Sequence, residues 1–537
     1  MADAALARIG SLAALKAEGR LTGKVGSLPV VVFWHEDRPW AIEDRCPHMG
    51  FPLRQGTVEA GLVTCHWHHA RFDLATGCTL DPFADDARGF DVVCDGDDVV
   101  VSSRIVTDPT AHLWQRLDDG LEEGITLVIA KSVLGLLEAG VSTTAIVRRG
   151  VEFGVRYRDR GWGAGLTVLV AMANVVPSLA EEDRALALVH GLSFVARDTA
   201  GHPPRFPLRP FEGGQTDPAR FATWYRRFIE TRSASASERV LTSALAEGTP
   251  LADVERMMFA AVTDHVFIDG GHTIDFTNKA FEALDHLGAD AAEGVLPTLV
   301  QQTASASRSE ERGTWRHPHD LAALVDEADA RIAEALLGHG GREDGTVDVG
   351  ALAARVLSED PFAVVDALVE AAGSGASPDE LGRAVALAAA MRISRFHVQN
   401  DFGDWDTVHH AFTAANALHQ ALLRTPSPEL HRGLVHGALR IYLDRFLNVP
   451  AARLSDATTG DLTELDECWD VQGDVDRAGA IAGGFLRGGG NPAELVAALG
   501  GALLREDAEF HWYQVFEAAV RQAQAWPDRS EEQVVVL

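Results

Sequence analysis

The sequence predicts a multidomain protein, with a small all-β domain over residues 1–106 followed by a large all-α domain over residues 107–537. Two observations predict this division. Short β-rich runs separated by Gly- and Asp-bearing turns fill the first segment, whereas Ala and Leu at helical spacing dominate the second. A chain of 537 residues also exceeds what a single hydrophobic core usually holds, roughly 250–300 residues.

The β domain is predicted from runs rich in β-branched and aromatic residues, which favour strands because such side chains pack well on a pleated surface. Turn residues bound each run, as expected for a small antiparallel sheet. The runs are residues 28–34, 40–43, 62–65, 90–94 and 99–102.

The helical region is interrupted by proline- and glycine-bearing segments, since proline cannot continue a helix and glycine weakens one. None of these segments has the composition of a long flexible linker. We therefore predict one large helical domain, with two lobes as the alternative. The breaks fall at residues 199–218, 304–320, 338–345, 373–378, 448–461 and 488–492.

Two short clusters in the β segment carry metal-binding side chains. They are Cys46-Pro47-His48 and Cys65-His66-Trp67-His68, separated by sixteen residues. A Rieske [2Fe-2S] centre holds one iron with two thiolates and the other with two imidazoles, so one Cys and one His on each of two loops suit it. Zinc also binds Cys and His, but zinc sites favour a Cys pair and a His pair in sequence. The pattern therefore favours a redox cluster.

On these motifs, about residues 8–106 resemble the Rieske ferredoxins of bacterial oxygenase systems and the related small subunit of nitrite reductase. The resemblance implies a [2Fe-2S] cluster with Cys46, His48, Cys65 and His68 as ligands. It also implies that the electrons come from a separate NAD(P)H-dependent reductase or ferredoxin. No glycine motif of the dinucleotide-binding type follows a strand, which agrees with a separate donor.

The loops lack groups found in Rieske proteins of the respiratory cytochrome complexes. Phe51 and Trp67 stand where those proteins carry a disulfide that joins the loops. Ala70 and Phe72 stand where they place hydroxyl donors to the cluster. Hydrogen bonds to cluster sulfur raise the reduction potential, so we expect a value near the low end of the Rieske range, about −150 mV.

A Rieske domain alone does no substrate chemistry, so an electron acceptor is expected in the helical region or in a partner. Rieske oxygenases carry a mononuclear iron on a motif resembling Asp-x₂-His-x₄-His. This chain has His431-x₄-His436, but Glu429 lies one residue too close and the flanks are helical. We therefore do not assign the chain to the ordinary oxygenase subunit. It resembles long bacterial Rieske-domain proteins with a His-rich helical C-terminal region, on phrases such as residues 269–286 and 404–410.

One candidate metal site lies at His265, Asp269 and His272, which would share a helix face at i, i+4 and i+7. The alternative is a polar helix end, because Gly270-Gly271 can break the helix. Such a face would present two imidazoles and a carboxylate, a set that suits a mono- or dinuclear non-haem iron.

A second cluster places His and Asp side chains among Phe and Trp, which suggests a polar pocket in an apolar shell or else a hydrogen-bonded core network. Its candidates are His397, Asp401 and His410. His436 is a further candidate, and His190 is held in reserve. Each is followed by glycine, and each is more typical of a core histidine than of a metal ligand.

Composition restricts the partners. A net charge of −31 argues against nucleic acid and anionic membranes, because both select basic surfaces. Five cysteines without a disulfide pattern suit the reducing cytoplasm. The N-terminus resembles no export signal, and we expect no membrane span. A homo-oligomer is compatible with the sequence.

Two functions remain open from the sequence. The first is an oxidoreductase in which a Rieske cluster feeds electrons to a His/Asp iron site for O₂-dependent oxidation of a small organic substrate. The second is an electron carrier or redox sensor whose helical domain binds a partner and holds no metal. A third reading, histidine acid–base chemistry without metal, has less support.

Overall fold

The computed structural model describes residues 6–103, 109–158, 160–212, 217–338, 347–469, 471, 474–527 and 530–537. By internal contacts the chain forms two compact units, Met1–Val141 and Ser142–Leu537. The predicted fold class, an all-β segment followed by a large helical region, is confirmed. The last strand ends at Ser103 and the helical region begins at Pro109, but its first two helices belong to the first unit.

The first unit contains short antiparallel strands and three helices. The strands are β1 (Leu6–Ser11), β2 (Arg20–Val25), β3 (Leu28–His35), β4 (Arg38–Glu43), β5 (Thr57–Glu59), β6 (Leu62–Thr64), β7 (Arg71–Asp73), β8 (Gly89–Asp95) and β9 (Asp98–Ser103). The helices are α1 (Leu12–Glu18), α2 (Pro109–Glu123) and α3 (Thr126–Glu138).

The strands form two sheets. One has the order β1-β9-β8-β4-β3-β2, and the other has the order β5-β6-β7. The predicted runs lie on β3, β4, β6, β8 and β9, except that Cys65 follows the end of β6. Strands β1, β2, β5 and β7 were not predicted, and β5 and β7, of three residues each, are too short to show a periodic pattern. The loop after β4 and the loop between β6 and β7 carry the two Cys/His clusters. A buried apolar core that includes Phe33, Leu53 and Phe72 supports both loops.

Among its described residues, the second unit consists of helices and the loops that connect them, without strands. Its helices are α4 (Thr143–Arg156), α5 (Ala164–Val175), α6 (Glu181–Thr199), α7 (Pro218–Glu230), α8 (Ala234–Ala246), α9 (Leu251–Thr263), α10 (His272–Leu287), α11 (Ala292–Val295), α12 (Val300–Ser305), α13 (Leu321–Gly338), α14 (Val349–Val356), α15 (Pro361–Gly373), α16 (Pro378–Ser394), α17 (Phe402–Arg424), α18 (Pro428–Leu443), α19 (Leu465–Trp469), α20 (Val475–Arg487), α21 (Pro492–Arg505), α22 (Phe510–Gln524) and α23 (Ser530–Val536).

The predicted breaks coincide with the ends of these helices, apart from residues 339–345, which lie outside the described residues. Local sequence explains several starts. Before α16, for example, the Ser377 hydroxyl and the Glu380 carboxylate cap each other's backbone N–H, and Pro378 occupies the first helical turn. Within the described parts of the chain, no helix combines the length and the apolar character needed to cross a membrane.

The centre of the helical unit is built from α5, α10, α17 and α22. Helix α10 packs against α5 and α17, and α22 packs against the same two helices. Helix α5 is buried on nearly all sides, as expected for a segment that is apolar around its whole circumference. Helix α10 is equally buried but carries charged residues, so this core contains polar groups that require partners.

Candidate functional site

The two Cys/His loops of the first unit have the same backbone structure. The Cys46 N–H donates to the Phe51 carbonyl at 2.7 Å, and the Cys65 N–H donates to the Ala70 carbonyl at 2.8 Å. Each cysteine therefore opens a tight turn that closes five residues later. Both cysteines are buried, with 3% and 1% exposure, so their thiols point into the supporting core.

A left-handed residue completes each turn, four positions after its cysteine. Gly50 has φ +84° and His69 has φ +62°. Their N–H groups donate to the carbonyls of Cys46 and Cys65 at 2.8 and 3.0 Å. Glycine adopts this conformation without steric cost, whereas a left-handed histidine is uncommon, and such residues cluster at functional sites.

The loops bring the thiols together and the imidazoles together. Burial and the adjacent Cys65 raise the pKa of the Cys46 thiol to about 11. The rings of His48 and His68 lie 4.7 Å apart, edge to face. The Nδ1 atom of His48 is buried and makes no hydrogen bond within the described part of the chain. A buried imidazole nitrogen without a hydrogen-bond partner suits a metal ligand, so these donors fit a cluster with two thiolates and two imidazoles.

The spacing of these four side chains does not suit a single ion. In the described residues, no three of Cys46, His48, Cys65 and His68 have ligand atoms within 4.8 Å of one another. A tetrahedral zinc ion, with ligands at about 2.0–2.3 Å, would require all four ligand atoms to lie closer than that. The set therefore fits a two-iron cluster better than zinc.

The two histidines differ in exposure. His48 is half-buried, and the Phe83 ring lies 5.1 Å from its ring. His68 is exposed and stacks on Trp67 at 4.9 Å, and Trp67 itself is 53% exposed. The His68 side of the first unit is therefore more accessible within that unit.

A second group of metal-ligand side chains lies in the helical unit. His272 is the first residue of α10, His410 lies in α17 and His511 lies in α22. One ring nitrogen of each lies within 4.8 Å of the others, and among the described residues this is the one group of three or more potential ligands that converges so closely. The Nε2 atoms of His410 and His511 are 2.7 Å apart. We name these residues the three-histidine site.

The three imidazoles favour the neutral form. Burial, together with the His511 charge, lowers the pKa of His272 to about 4. Burial and the neighbouring imidazoles lower the pKa of His410 to about 2, and burial also lowers that of His511. Neutral imidazole is the form that binds metal, so these side chains would not have to release a proton first.

Aromatic rings and carboxylates lie near the three-histidine site. The Phe276 and Phe510 rings lie 5.4 and 5.8 Å from the His272 ring. The Asp406 carboxylate lies 3.6 Å from the Nδ1 atom of His511. A carboxylate beside the second nitrogen of a metal-binding imidazole orients the ring and strengthens the ligand.

The prediction that His265, Asp269 and His272 share one helix face is wrong. Helix α9 ends at Thr263, and α10 begins only at His272. The intervening turn contains left-handed residues, including Asp269 with φ +49° and Gly271 with φ +102°. The glycine pair breaks the helix, and the new helix directs His272 towards α17 and α22 instead.

His265 lies apart from the three-histidine site and has carboxylate partners. Its Nδ1 atom is 2.7 Å from Glu310, and its Nε2 atom is 2.5 Å from Glu230. His265 and Glu230 line a cleft of about 1080 Å³ between α7 and α9, together with Arg226 and Asp253. This histidine therefore lies between two carboxylates in the cleft wall.

His190 and His436 also have partners of their own. The Tyr513 hydroxyl lies 2.7 Å from the Nδ1 atom of His190. The N–H of Phe267 donates to the Nδ1 atom of His436, at 3.5 Å, and His436 is fully buried. His436 is therefore a buried core histidine, whereas His190 is half-buried and is held by Tyr513.

The remaining candidates serve the local backbone. The Nδ1 atom of His397 accepts from the Gln399 N–H at 3.1 Å. Asp401 is the N-cap residue that precedes α17, and it is exposed. Its N–H donates to the Asp404 carboxylate at 3.2 Å. From the second predicted cluster, only His410 joins the three-histidine site.

The sequence interpretation missed His511. It stands alone in the phrase Glu509-Phe510-His511-Trp512, far from the other histidines of the site. The aromatic neighbours, in a helix that alternates apolar and polar residues, were the one available signal, and that signal fits an ordinary core helix as well.

A buried ionic group lies further along α10. The Nζ atom of Lys279 lies 2.8 Å from an Oε2 atom of both Glu282 and Glu517, and Asn174 donates to the same two carboxylates. Although burial alone would raise it, the Lys279 charge lowers the pKa of Glu282 to about 2. The Lys279 ammonium group therefore lies between the two carboxylates, in the position that a bound cation would otherwise occupy.

Comparisons with known proteins identify the N-terminal part of the first unit. Residues 6–91 match the family model of the Rieske [2Fe-2S] domain. A 4beta-methylsterol monooxygenase of Methylococcus capsulatus is 39% identical over 71 residues, and Ferredoxin CarAc of Metapseudomonas resinovorans is 33% identical over 58 residues. The N-terminal segment is therefore a Rieske domain, the type that transfers electrons through an iron–sulfur cluster.

These similarities cover a small part of this chain. The two alignments span 12% and 11% of it, and 19% and 54% of the respective relatives. A solved ferredoxin of carbazole 1,9a-dioxygenase from Nocardioides aromaticivorans IC177 is 29% identical, covers 18% of this chain and 98% of its own, and has a TM-score of 0.18.

Proposed function

We propose that the chain is an iron–sulfur oxidoreductase that delivers single electrons from its Rieske domain to a metal ion held by His272, His410 and His511, for O₂-dependent oxidation of a small organic substrate. The observation that carries this proposal is the convergence of three imidazoles from three helices within 4.8 Å. A redox metal at that position gives the electrons of the Rieske domain a destination.

The donor set is consistent with a redox-active iron. Imidazole suits iron, copper, zinc and nickel, and three protein ligands leave coordination positions for O₂ or substrate. Zinc has no redox chemistry and could not accept these electrons. Among the redox-active metals we propose iron, because histidine-ligated iron with open coordination positions suits the activation of O₂. Phe276 and Phe510 would present an apolar wall to an organic substrate.

The electron balance defines what the chain must receive. Insertion of one oxygen atom into a C–H bond consumes one O₂, two electrons and two protons, and releases one water. A Rieske centre supplies one electron at a time, so each turnover requires two deliveries. We propose that a separate NAD(P)H-dependent reductase or ferredoxin supplies them, since no dinucleotide-binding motif was found in the sequence.

Metal analysis of anaerobically purified protein tests the proposal. We expect three irons and two sulfides per chain in the wild type, and one iron without sulfide in the Cys46→Ser, Cys65→Ser variant. His511→Gln should retain two irons and both sulfides. His190→Gln is the matched control, because it removes a histidine that is bonded to Tyr513 and does not belong to the three-histidine site.

Electron delivery is measured separately, by the rate at which O₂ reoxidises the reduced Rieske domain. His511→Gln should slow this rate at least tenfold, whereas His190→Gln should leave it unchanged. Two irons in both the wild type and His511→Gln would overturn the proposal and favour an electron carrier or sensor with a metal-free helical unit. Zinc at the three-histidine site would overturn the redox role in particular.

A further inference from the structure

Helix α3 contributes a side chain to the first Cys/His loop, although α3 lies beyond the segment that matches the Rieske family. The match ends at residue 91, and α3 runs from Thr126 to Glu138. The ammonium group of Lys131 donates to the backbone carbonyls of both Pro47 and His48. These carbonyls belong to the turn that presents the ligand His48.

A second set of contacts fixes the position of this helix. In the preceding helix α2, the Arg116 guanidinium donates to the carbonyls of Pro82 and Ala84 at 3.0 and 2.8 Å. His112, also in α2, lies 2.8 Å from the Asp85 carboxylate. The α2–α3 hairpin is therefore anchored to residues 82–85 independently of Lys131.

Residues 82–85 form part of the wall around His48. The Phe83 ring lies 5.1 Å from the His48 ring, and the Lys131 ammonium binds the backbone on the loop that carries that ring. The hairpin thus holds His48 from two directions. His68, on the other loop, is exposed and stacks on Trp67.

We propose that Lys131 is a positioning residue that holds the Pro47–His48 turn in its ligand-binding form and raises the reduction potential of the [2Fe-2S] cluster at this site. The physical reason is electrostatic. Reduction adds one negative charge, so a nearby positive charge stabilises the reduced form more than the oxidised form. Partial burial of the ammonium limits the screening of this interaction by solvent and salt.

This role of Lys131 offsets part of the lowering of the reduction potential that the sequence predicts. Ala70 and Phe72 supply no hydroxyl donors to the cluster, which favours a low potential. Lys131 acts in the opposite direction, through the backbone of the first loop instead of through sulfur. The inference concerns the Rieske domain alone and does not depend on a metal at the three-histidine site.

The test is a redox titration of the full-length protein, followed by the electron paramagnetic resonance signal of the reduced cluster. Lys131→Gln should shift the oxidised-to-reduced ratio at a fixed potential about tenfold towards the oxidised form, which corresponds to a potential lower by about 59 mV for one electron. Lys131→Arg, which keeps the charge, should retain most of the wild-type value. Lys24→Gln is the control, because Lys24 is exposed on β2 of the same unit.

A Lys131→Gln potential equal to that of the wild type would overturn the electrostatic role, as would an equal shift in Lys24→Gln. The positioning role has its own measurement, the rate at which a chelator removes iron, and Lys131→Gln should lose iron several-fold faster. If Lys131→Gln fails to assemble the cluster, assembly by Lys131→Arg supports the proposal. Failure of Lys131→Arg beside normal assembly in Lys24→Gln would overturn it.

Discussion

Replacing the buried Lys279 by methionine should destabilise the helical unit strongly. Its Nζ atom lies 2.8 Å from carboxylate oxygens of Glu282 and Glu517, and all three side chains are at most 2% exposed. Methionine nearly preserves the length of the side chain but carries no charge. The variant would leave two buried carboxylates facing each other without the lysine that neutralises them.

Removing one partner of a buried ion pair typically costs about 3–5 kcal/mol. Asn174 and Arg521 still contact the carboxylates in the variant, so we expect a loss of roughly 4 kcal/mol in the free energy of unfolding. A helical unit of about 400 residues has an unfolding entropy near 0.8 kcal/mol/K. The melting temperature of this unit should therefore fall by about 5 °C.

Differential scanning calorimetry at neutral pH measures the change, because it resolves the transition of each unit. Arg256→Met is the control, since Arg256 forms an exposed pair with Asp253 and should cost at most about 1 kcal/mol. A triple variant, Lys279→Met, Glu282→Gln and Glu517→Gln, should recover much of the lost stability, because it removes the two buried carboxylates that lose the lysine. Arg521 then loses its pair with Glu517, but its side chain is 31% exposed and stays in contact with solvent.

A Lys279→Met protein that melts within 1 °C of the wild type would refute this reasoning. It would mean that the two carboxylates take up protons or water at little cost. A triple variant that is less stable than Lys279→Met would also contradict it, since removal of the charges would then bring no gain.

Three further predictions concern pH and backbone conformation. Burial lowers the pKa of His436 to about 3, so only the unfolded state takes up a proton at this position as the pH falls below about 6.5. The folded protein therefore loses stability on acidification. At pH 4.5, His436→Gln should avoid roughly 2–3 kcal/mol of that loss in the free energy of unfolding, measured by urea unfolding. Burial raises the pKa of Asp275 to about 8, so the stability that this group gives at low pH is lost as the pH rises from about 4 to 8. The urea midpoint of Asp275→Asn should therefore exceed that of the wild type by a margin that grows over this pH range. A margin independent of pH would contradict the assignment. Gly271→Ala should lower the free energy of unfolding by about 1–3 kcal/mol and lower the iron content of the three-histidine site, because φ is +102° and the new Cβ would lie 2.9 Å from the Phe267 ring. Gly294→Ala is the control in both the thermal and the iron measurements, because a Cβ at Gly294 meets open space.

The Rieske domain could be predicted from the sequence because the geometry of its motifs is local. Cys46 and His48 lie on one tight turn, Cys65 and His68 lie on another, and short-range hydrogen bonds close both turns. The helix ends were also predictable, since Pro378 and similar residues act on their own backbone. Such signals depend on near neighbours in the chain, which the sequence shows directly.

The convergence of the three histidines in the helical unit depended on tertiary packing. His410 and His511 are 101 residues apart, and only the packing of α22 against α17 brings their nitrogens to 2.7 Å. The packing of α10 against its neighbouring helices likewise buries Lys279, and the docking of α2 and α3 within the first unit brings Lys131 to the His48 loop. Helix propensity and periodicity determine where a helix forms and which face is apolar, but which polar side chains meet across a core follows from how the helices pack against one another.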